Sequence, residues 1–522
     1  MMVKTKSWKH QSEAVEKFKD KKFGALLMEM GLGKSRTVID IATEKFATGE
    51  IERVLLICPS PLKEQWAIQQ LGEHHSGEYS AVVWESSKSR KPRAVNERKE
   101  KLWNDDGKLK WLIVNVEAFS ISTFMPVFEA YVNLRSCMVI VDEATRIKNP
   151  AANRTGNIRK LGELAACRFI LTGSLITGSP YDAWSPFEFL KAGYWGMTYY
   201  AFRSRYGIET TQSNPYGGKY RRKIKPVEIA RIRNMNKSKP IEYISAIMGI
   251  RESDIKYILD RPNLDVPYKH LDELKQAINS TAVQVKKEDV FDIPPKVFTR
   301  ITVQMGGEQK RIYNQLKKDM LAEYRGVELT VENKLVLVIR LQQVAGGFFP
   351  HNANEATPPD AIKGTAKLSA LVGELEDIPN EPVIIWARFV AEIKMIGDMI
   401  KKELPDREPR VYYGAVKQET RAQIIREFQA GEIDTIIANP ATAGFGLNLQ
   451  RAHVAFYYSQ GFSLEDRLQS EDRIHRAGQQ ASCTYIDMIS KGTVDEGILD
   501  ALKMKSSLSE YFSSHSLEEF LK

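Results

Sequence analysis

Two sets of short apolar runs decide what this 522-residue chain can fold into. The early set is "GALLME", "RVLLICP", "WLIVNVE", "CMVIVDE" and "RFILTG", and the late set is "PVIIWAR", "RVYYG", "TIIANP", "HVAFYYS" and "CTYIDMI". Each run closes in a polar or glycine turn and is followed by residues of helical period. A strand with one wet face alternates apolar and polar residues; these runs are apolar throughout, as strands covered on both faces by helices must be. The fold class is therefore α/β, with two lobes, each built on a parallel sheet.

The intervening texture differs. Residues 194–295 are rich in charge and tyrosine and helical in period, and we read them as a helical insertion. The expected division is an N-terminal lobe over 1–193, the insertion over 194–295, a connecting helical segment over 296–355 and a C-terminal lobe over 356–522. "HNANEATPPD" (351–360) reads as a linker. No repeat of about 20 to 50 residues is visible. No apolar stretch reaches the roughly 18 residues that cross a bilayer. The start "MMVKTKSWKHQSEAV" lacks the apolar core of a signal peptide. A cytoplasmic setting is expected, a bacterial nucleoid or a phage-infected host cell, with no membrane partner. Cys58, Cys137, Cys167 and Cys483 are too far apart for a zinc cluster or a disulfide framework. Lys and Arg number 75 against 66 Asp and Glu, and this excess suits a polyanion partner without requiring one.

"MEMGLGKS" (28–35) follows the first apolar run and opens the helical pattern "SRTVIDIATEKFA". A glycine turn there surrounds phosphate oxygens with backbone N–H groups and a helix N-terminus. Met30, Gly31, Leu32, Gly33, Lys34 and Ser35 form this nucleotide-binding loop, with Lys34 reaching the β and γ phosphates of ATP and Ser35 ligating Mg2+. Met28 stands where the general pattern has its first glycine. "VIVDEATRIKNP" supplies the second half: Asp142 can hold hydrated magnesium while Glu143 orients and deprotonates the attacking water.

In the late set, "QSEDRIHRAGQQ" spaces Gln469, Arg473 and Arg476 by four and three, so on a helix they share one face. Two guanidinium groups suit the charge developing on a transferring phosphoryl group. Glu471 and Asp472 beside them leave a salt-bridged surface as the other reading. "NPATAGFGLNL" ends a buried strand in a turn where Ala443, Gly444 and Gly446 allow close backbone approach.

In the insertion, "GGKYRRKIK" (217–225) concentrates Lys219, Arg221, Arg222, Lys223 and Lys225 and is either a phosphate grip or a solvated loop. "KSRKPR" (88–93) is a weaker case, a surface loop of the first lobe. "ISAIMGIRESDIKYIL" (244–259) fits the spacing of a helix-turn-helix-like unit at about 237–262. Ser245 faces the second helix, Gly249 makes the turn, and Ile250, Ile255 and Ile258 pack between the helices. Its second helix is expected to present Arg251, Glu252, Ser253, Asp254, Lys256 and Tyr257, two of them acids that repel phosphates.

Taken together, "HQSEAV", "EMGLGKS", "LLICPSPLKEQW", "VIVDEATRIKNP", "LTGSLITGSPYDAWSPFEFL", "YYGAVKQETRAQIIREFQ", "ATAGFGLNL" and "QSEDRIHRAGQQ" resemble, in order and over nearly the whole chain, a Swi/Snf-type ATPase of helicase superfamily two. The resemblance implies two RecA-like lobes, with Gln11 reading the adenine edge and Pro59, Lys63 and Trp66 lying near the DNA backbone. It implies that Thr172, Gly173 and Ser174 couple the ATP site to DNA, and that Arg473 and Arg476 act as arginine fingers with Gln469 beside them. The segment with Thr442 and Gly446 would touch DNA phosphates and the nucleotide. DNA contacts are thus expected at Lys63, Thr172, Ser174, Arg221, Arg222, Thr442 and Lys256. Thr145 departs from the usual histidine, and Ser174-Leu175 from the usual Thr-Pro. The implied activity is that of an ATP-driven translocase, DNA-dependent and acting as a monomer on duplex or branched DNA in replication, recombination or repair. The alternatives are a DNA-binding regulator or nucleotide-operated clamp with weak ATPase, and a remodeller that displaces DNA-bound protein.

Overall fold

A computed structural model describes residues 6–85, 102–104, 106–134, 136–213, 218–264, 266–323, 331–349, 361–362, 365–379, 381–443 and 447–503. The expected surface loop at 88–93 and the linker at 351–360 lie outside them. The chain divides into two compact units, Met1–Glu29 with Gly33–Val285, and Met30–Leu32 with Lys286–Lys522. No helix among the described residues is long and apolar enough to cross a membrane. All four cysteines are buried and free.

The first unit carries strands β1 (Phe23–Met28), β2 (Arg53–Cys58), β3 (Tyr79–Val83), β4 (Leu109–Asn115), β5 (Cys137–Asp142) and β6 (Cys167–Thr172). An antiparallel pair follows, β7 (Glu209–Ser213) with β8 (Lys219–Lys223), and then β9 (Ala282–Val285). All but the pair form one parallel sheet in the order β3-β4-β2-β5-β6-β1-β9. The five expected strands are β1, β2, β4, β5 and β6, and β2 and β5 are buried along their whole length. β3 was not expected. It lies at the sheet edge with one fully buried residue, Val82, so it carries no continuous apolar run. β9 corrects the domain reading: residues 282–285, placed in the insertion, return to pair with β1.

The inserted region is not purely helical. "KYRRK", weighed as a loop, is strand β8 of the hairpin. Around it stand helices Tyr199–Tyr206, Pro226–Met235, Ile241–Met248 and Glu252–Leu259. Ile208, Ile224, Ile229, Ile232, Ile244, Ile250, Ile255 and Ile258 form a core of their own. Gly249 joins the last two helices with φ +62°. A Cβ there would stand 2.4 Å from the Thr211 carbonyl oxygen, and Thr211 donates its N–H to the Gly249 carbonyl at 2.9 Å. The turn therefore seats on β7. Asp254 is not on an exposed face, as expected from the sequence; it is fully buried, ion-paired to Lys269 and to Arg251.

The second unit carries β10 (Lys296–Val303), β11 (Val383–Trp386), β12 (Pro409–Tyr412), β13 (Thr435–Ala438), β14 (Val454–Tyr457) and β15 (Cys483–Ser490). They form one parallel sheet in the order β10-β15-β14-β11-β13-β12. β10 sits in the stretch expected to be a helical connection. It is an edge strand, exposed at Val297, Phe298, Thr299 and Arg300, and so has no apolar signature. Helix Val331–Gly346 packs Leu337, Val338, Leu341, Val344 and Ala345 with Val494, Ile498 and Leu502.

Glu392, in the first turn of helix Val390–Glu403, is fully buried. Oε2 accepts from the Phe389 N–H at 3.2 Å and from the Ser459 hydroxyl, and Oε1 has no hydrogen-bond partner. Burial pushes its carboxyl up to about 7. The raised value sets the sign. Stability from this group is complete below the ordinary carboxylate range and is lost as pH rises through about 7. In urea unfolding, Glu392→Gln should lack this decline, so the variant gains on wild type by about 3 kcal/mol between pH 4.5 and 8. A constant difference between the two proteins across that range would contradict it.

Candidate active site

β1 delivers the chain into the glycine turn, and helix Lys34–Ala47 begins immediately after it. Gly31 and Gly33 have φ of +85° and +77°, which only glycine adopts without strain. No side chain caps the helix start and no acid stands in its first turn, an arrangement that fits phosphate rather than repelling it. The Lys34 ammonium lies 2.8 Å from the Met28 carbonyl and 3.3 Å from that of Glu29, over the turn. Ser35 is half-buried beside it. Gln11 accepts the Trp8 N–H through Oε1 at 3.0 Å, and a Cβ on Gly33 would stand 2.1 Å from its Nε2. The structure thus brings the expected adenine reader to the loop. Exposed Trp8 lies there too, and the sequence reading passed over it.

β5 ends at Asp142, and two strands away β1 ends at the loop. Asp142 is buried, and burial raises its carboxyl above the usual range; the Trp66 N–H and the Lys34 charge oppose the rise. Trp66 Nε1–H donates to Oδ2 at 2.8 Å and the Glu143 N–H donates to Oδ1 at 3.0 Å. Trp66, expected near the DNA backbone, thus turns inward. Glu143 occupies the left-handed region at φ +58°, rare for a residue with a side chain. The hydroxyls of Thr172 and Thr145 reach its Oε1 at 2.9 and 3.3 Å. Thr145, in place of the family's histidine, still supplies a donor to the Glu143 carboxylate. Thr172 Oγ1 also lies 3.1 Å from the Ser174 carbonyl and accepts the Ser174 N–H at 3.3 Å. The expected coupling segment therefore bonds directly to Glu143.

In the second unit Gln469 lies on helix Leu464–Glu471, but Arg473 and Arg476 lie beyond its end, which corrects the single-helix reading. The carbonyls of Arg473, Ile474 and His475 accept from the Leu449 N–H, the Gln479 side chain and Lys287, not from a following helical turn. Gly478, at φ +91°, completes the departure. Glu471 and Asp472 pair elsewhere: Glu471 with Arg467 and Lys296, Asp472 with Lys287 and Lys296. Burial pushes the Asp472 carboxyl up, yet the two lysines outweigh it and hold it below the usual range. Burial lowers the Arg476 guanidinium, which donates to the Leu447 carbonyl at 3.2 Å. Thr442 is half-buried on helix Pro440–Ala443; Gly444 and Gly446 lie outside the described residues.

The expected DNA contacts are scattered. Lys63 donates to the Trp84 carbonyl at 2.8 Å, and Lys256 is exposed on helix Glu252–Leu259. Arg221 is exposed on β8 and reaches the Ser204 hydroxyl at 3.2 Å. Arg222 is engaged by both carboxylate oxygens of Glu228, each at 2.8 Å, which removes it from the free cations of the hairpin.

Residues 10–346 match the SNF2-related domain and residues 366–478 the helicase conserved C-terminal domain. Among curated relatives, the uncharacterized ATP-dependent helicase MG018 of Mycoplasma genitalium is 23% identical over 98% of this chain and 44% of its own length. The TATA-binding protein-associated factor MOT1 of Saccharomyces cerevisiae is 24% identical over 71% of this chain and 20% of its own. The chain thus spans less than half the length of these relatives. Among solved structures, the Sulfolobus solfataricus SWI2/SNF2 ATPase core in complex with dsDNA is 21% identical, with 99% of this chain and 97% of that one covered and a TM-score of 0.41.

Gly33 offers a direct check of the loop. Gly33→Ala puts a methyl on the Gln11 amide at a positive φ, so ATP affinity in equilibrium binding should fall by about tenfold or more while the thermal midpoint moves little. Unaltered affinity would place the nucleotide elsewhere.

Proposed function

This chain belongs to the SNF2-related family, and from that membership we propose that it is an ATP-driven translocase acting on duplex or branched DNA, in replication, recombination or repair. The observation that carries the reading is the convergence of the Lys34 loop, Asp142 and Glu143 at the carboxyl edge of one sheet. Lys34 and the helix N-terminus hold the phosphates of ATP, and Gln11 faces the base. Glu143, fixed by Thr172 and Thr145, takes the proton of the attacking water. Ser35 and Asp142 would hold Mg2+, which when bound would neutralise phosphate charge. Arg473 and Arg476 carry guanidinium groups suited to the charge that develops on a transferred phosphoryl group. Hydrolysis alternates two states of the protein, and a grip on phosphates in each state converts that alternation into movement.

A vestigial ATPase attached to a DNA-binding regulator fits less well, because Lys34, Asp142, Glu143, Arg473 and Arg476 are all retained. Within the insertion, Lys219, Arg221 and Lys256 are among the exposed cations and are suited to anchoring DNA, whereas Arg222 is paired.

ATP hydrolysis should rise at least tenfold with duplex or branched DNA over no nucleic acid and over RNA. Lys34→Ala and Glu143→Gln should each remove more than about 99% of it. Hydrolysis indifferent to DNA would overturn the motor reading. Lys219→Glu with Arg221→Glu should weaken DNA binding and flatten its dependence on log salt by about one to two. An unchanged slope would assign the hairpin another task.

A further inference from the structure

Asp142 has one contact, with Trp66, that takes no part in holding nucleotide or water. We propose that Trp66 is a positioning residue: through its N–H it fixes the orientation of the Asp142 carboxylate and so sets the affinity for metal-bound nucleotide. The proposal rests on reading Asp142 as the metal-holding carboxylate.

The segment leaves the carboxyl end of β2 as a 3-10 turn, Ser60–Leu62, and then opens into a π-helical turn, Gln65–Gln70, before closing as Leu71–His74. Single π turns are uncommon in proteins and concentrate at functional sites. Here the turn separates two faces. Ser60, Pro61, Glu64 and Ile68 are exposed, Ile68 at 72%, whereas Trp66 is 2% exposed. Its indole is thus the side chain that carries the position of this surface segment into the interior. Lys63 secures the segment's other side to the Trp84 carbonyl, just past the end of β3.

At its inner end the indole meets a carboxylate with little freedom left. Oδ1 is held by the Glu143 N–H and Oδ2 by Trp66, so the plane of the group follows both. Each oxygen keeps a second lone pair, enough for a hydrated cation. Glu143 sits next in the chain with a left-handed backbone, so a tilt of the Asp142 carboxylate also pulls on the peptide that positions the Glu143 side chain. Residues that orient a metal-holding group alter metal affinity by about 10- to 100-fold when removed.

The test uses the full chain and two replacements at position 66 that lack the N–H. One is Trp66→Phe, and the other is 3-benzothienylalanine, which keeps the indole shape with sulfur in place of nitrogen. The first readout is affinity for a fluorescent ADP with Mg2+ and with EDTA. The second is the Mg2+ concentration that half-saturates basal hydrolysis. Metal-free ADP affinity should be retained, the Mg2+-dependent gain in ADP affinity should fall by about tenfold, and the half-saturating Mg2+ concentration should rise by a similar factor. A benzothienyl protein equal to wild type in both readouts overturns the proposal, whatever Trp66→Phe does to folding. Asp142→Asn separates the two levels. If it lowers the Mg2+-dependent gain and the benzothienyl protein does not, only the role of Trp66 falls. If Asp142→Asn itself leaves the gain intact, the metal reading of Asp142 falls and the proposal with it.

Discussion

The register of three neighbouring strands governs everything at the first unit's site. Leu27 of β1 pairs with Thr172 of β6, and Asp142 of β5 pairs with Leu171 of β6. Because the strands are parallel and end level, the glycine loop at Gly31 and Gly33, the acidic pair at Asp142 and Glu143, and Thr172 emerge at one edge although they are far apart in the chain. A slip of one residue between β5 and β6 would turn every side chain of a strand to the opposite face. The whole-length burial of β2 and β5, and of β6 save Arg168, resists such a slip. The crevice beyond the carboxyl ends of a parallel sheet is where ligands bind in open α/β folds, and the loop and acids here fill it.

Much of this was legible in the sequence because the central strands must be apolar on both faces and the phosphate loop must be glycine-rich. β1, β2, β5 and β6 announced themselves for that reason, and Lys34, Asp142 and Glu143 followed from their places at strand ends. The edges were illegible for the converse reason. β3 is only partly buried, β10 exposes most of its side chains, and β9 is four residues long, so none carries a run to detect. The inward turn of Trp66 was hidden because a tryptophan after "PLKEQ" looks the same whether its ring faces solvent or a carboxylate. Likewise, a helix through Arg473 and Arg476 was a fair inference from spacing, but tertiary acceptors and donors ended it at Glu471.

That helix end shows how buried charge is handled in the second unit. Glu471, Asp472, Lys287 and Lys296 are interlocked, with Arg467 bridging Glu471 to Asp487. A buried ion pair contributes little net stability because desolvation opposes the attraction, but breaking one partner leaves an uncompensated charge and is costly. Such a cluster works best as a geometric constraint. It defines where the loop after Glu471 begins, and so restricts the positions open to Arg473 and Arg476. The cation on β10 and the one just before it, at position 287, are therefore part of how the arginine-bearing loop is aimed, although neither lies near it in sequence.

The isoleucine core of the insertion has a consequence for how this protein opens. Its eight members pack with one another, closed by the Gly249 turn on β7 and by the buried Asp254–Lys269 pair, apart from the aromatic and aliphatic cluster beneath the first sheet. Elements with separate cores come apart in separate cooperative steps. Amide exchange at Ile244, Ile255 and Ile258 then reports an opening free energy belonging to the insertion, while β2 and β5 report that of the sheet. The catalytic edge is thereby insulated, and the chain between residues 208 and 264 is free to diverge, loosen or be rebuilt without a penalty at the nucleotide loop, whereas Phe202 and Tyr206 belong to the sheet's own core.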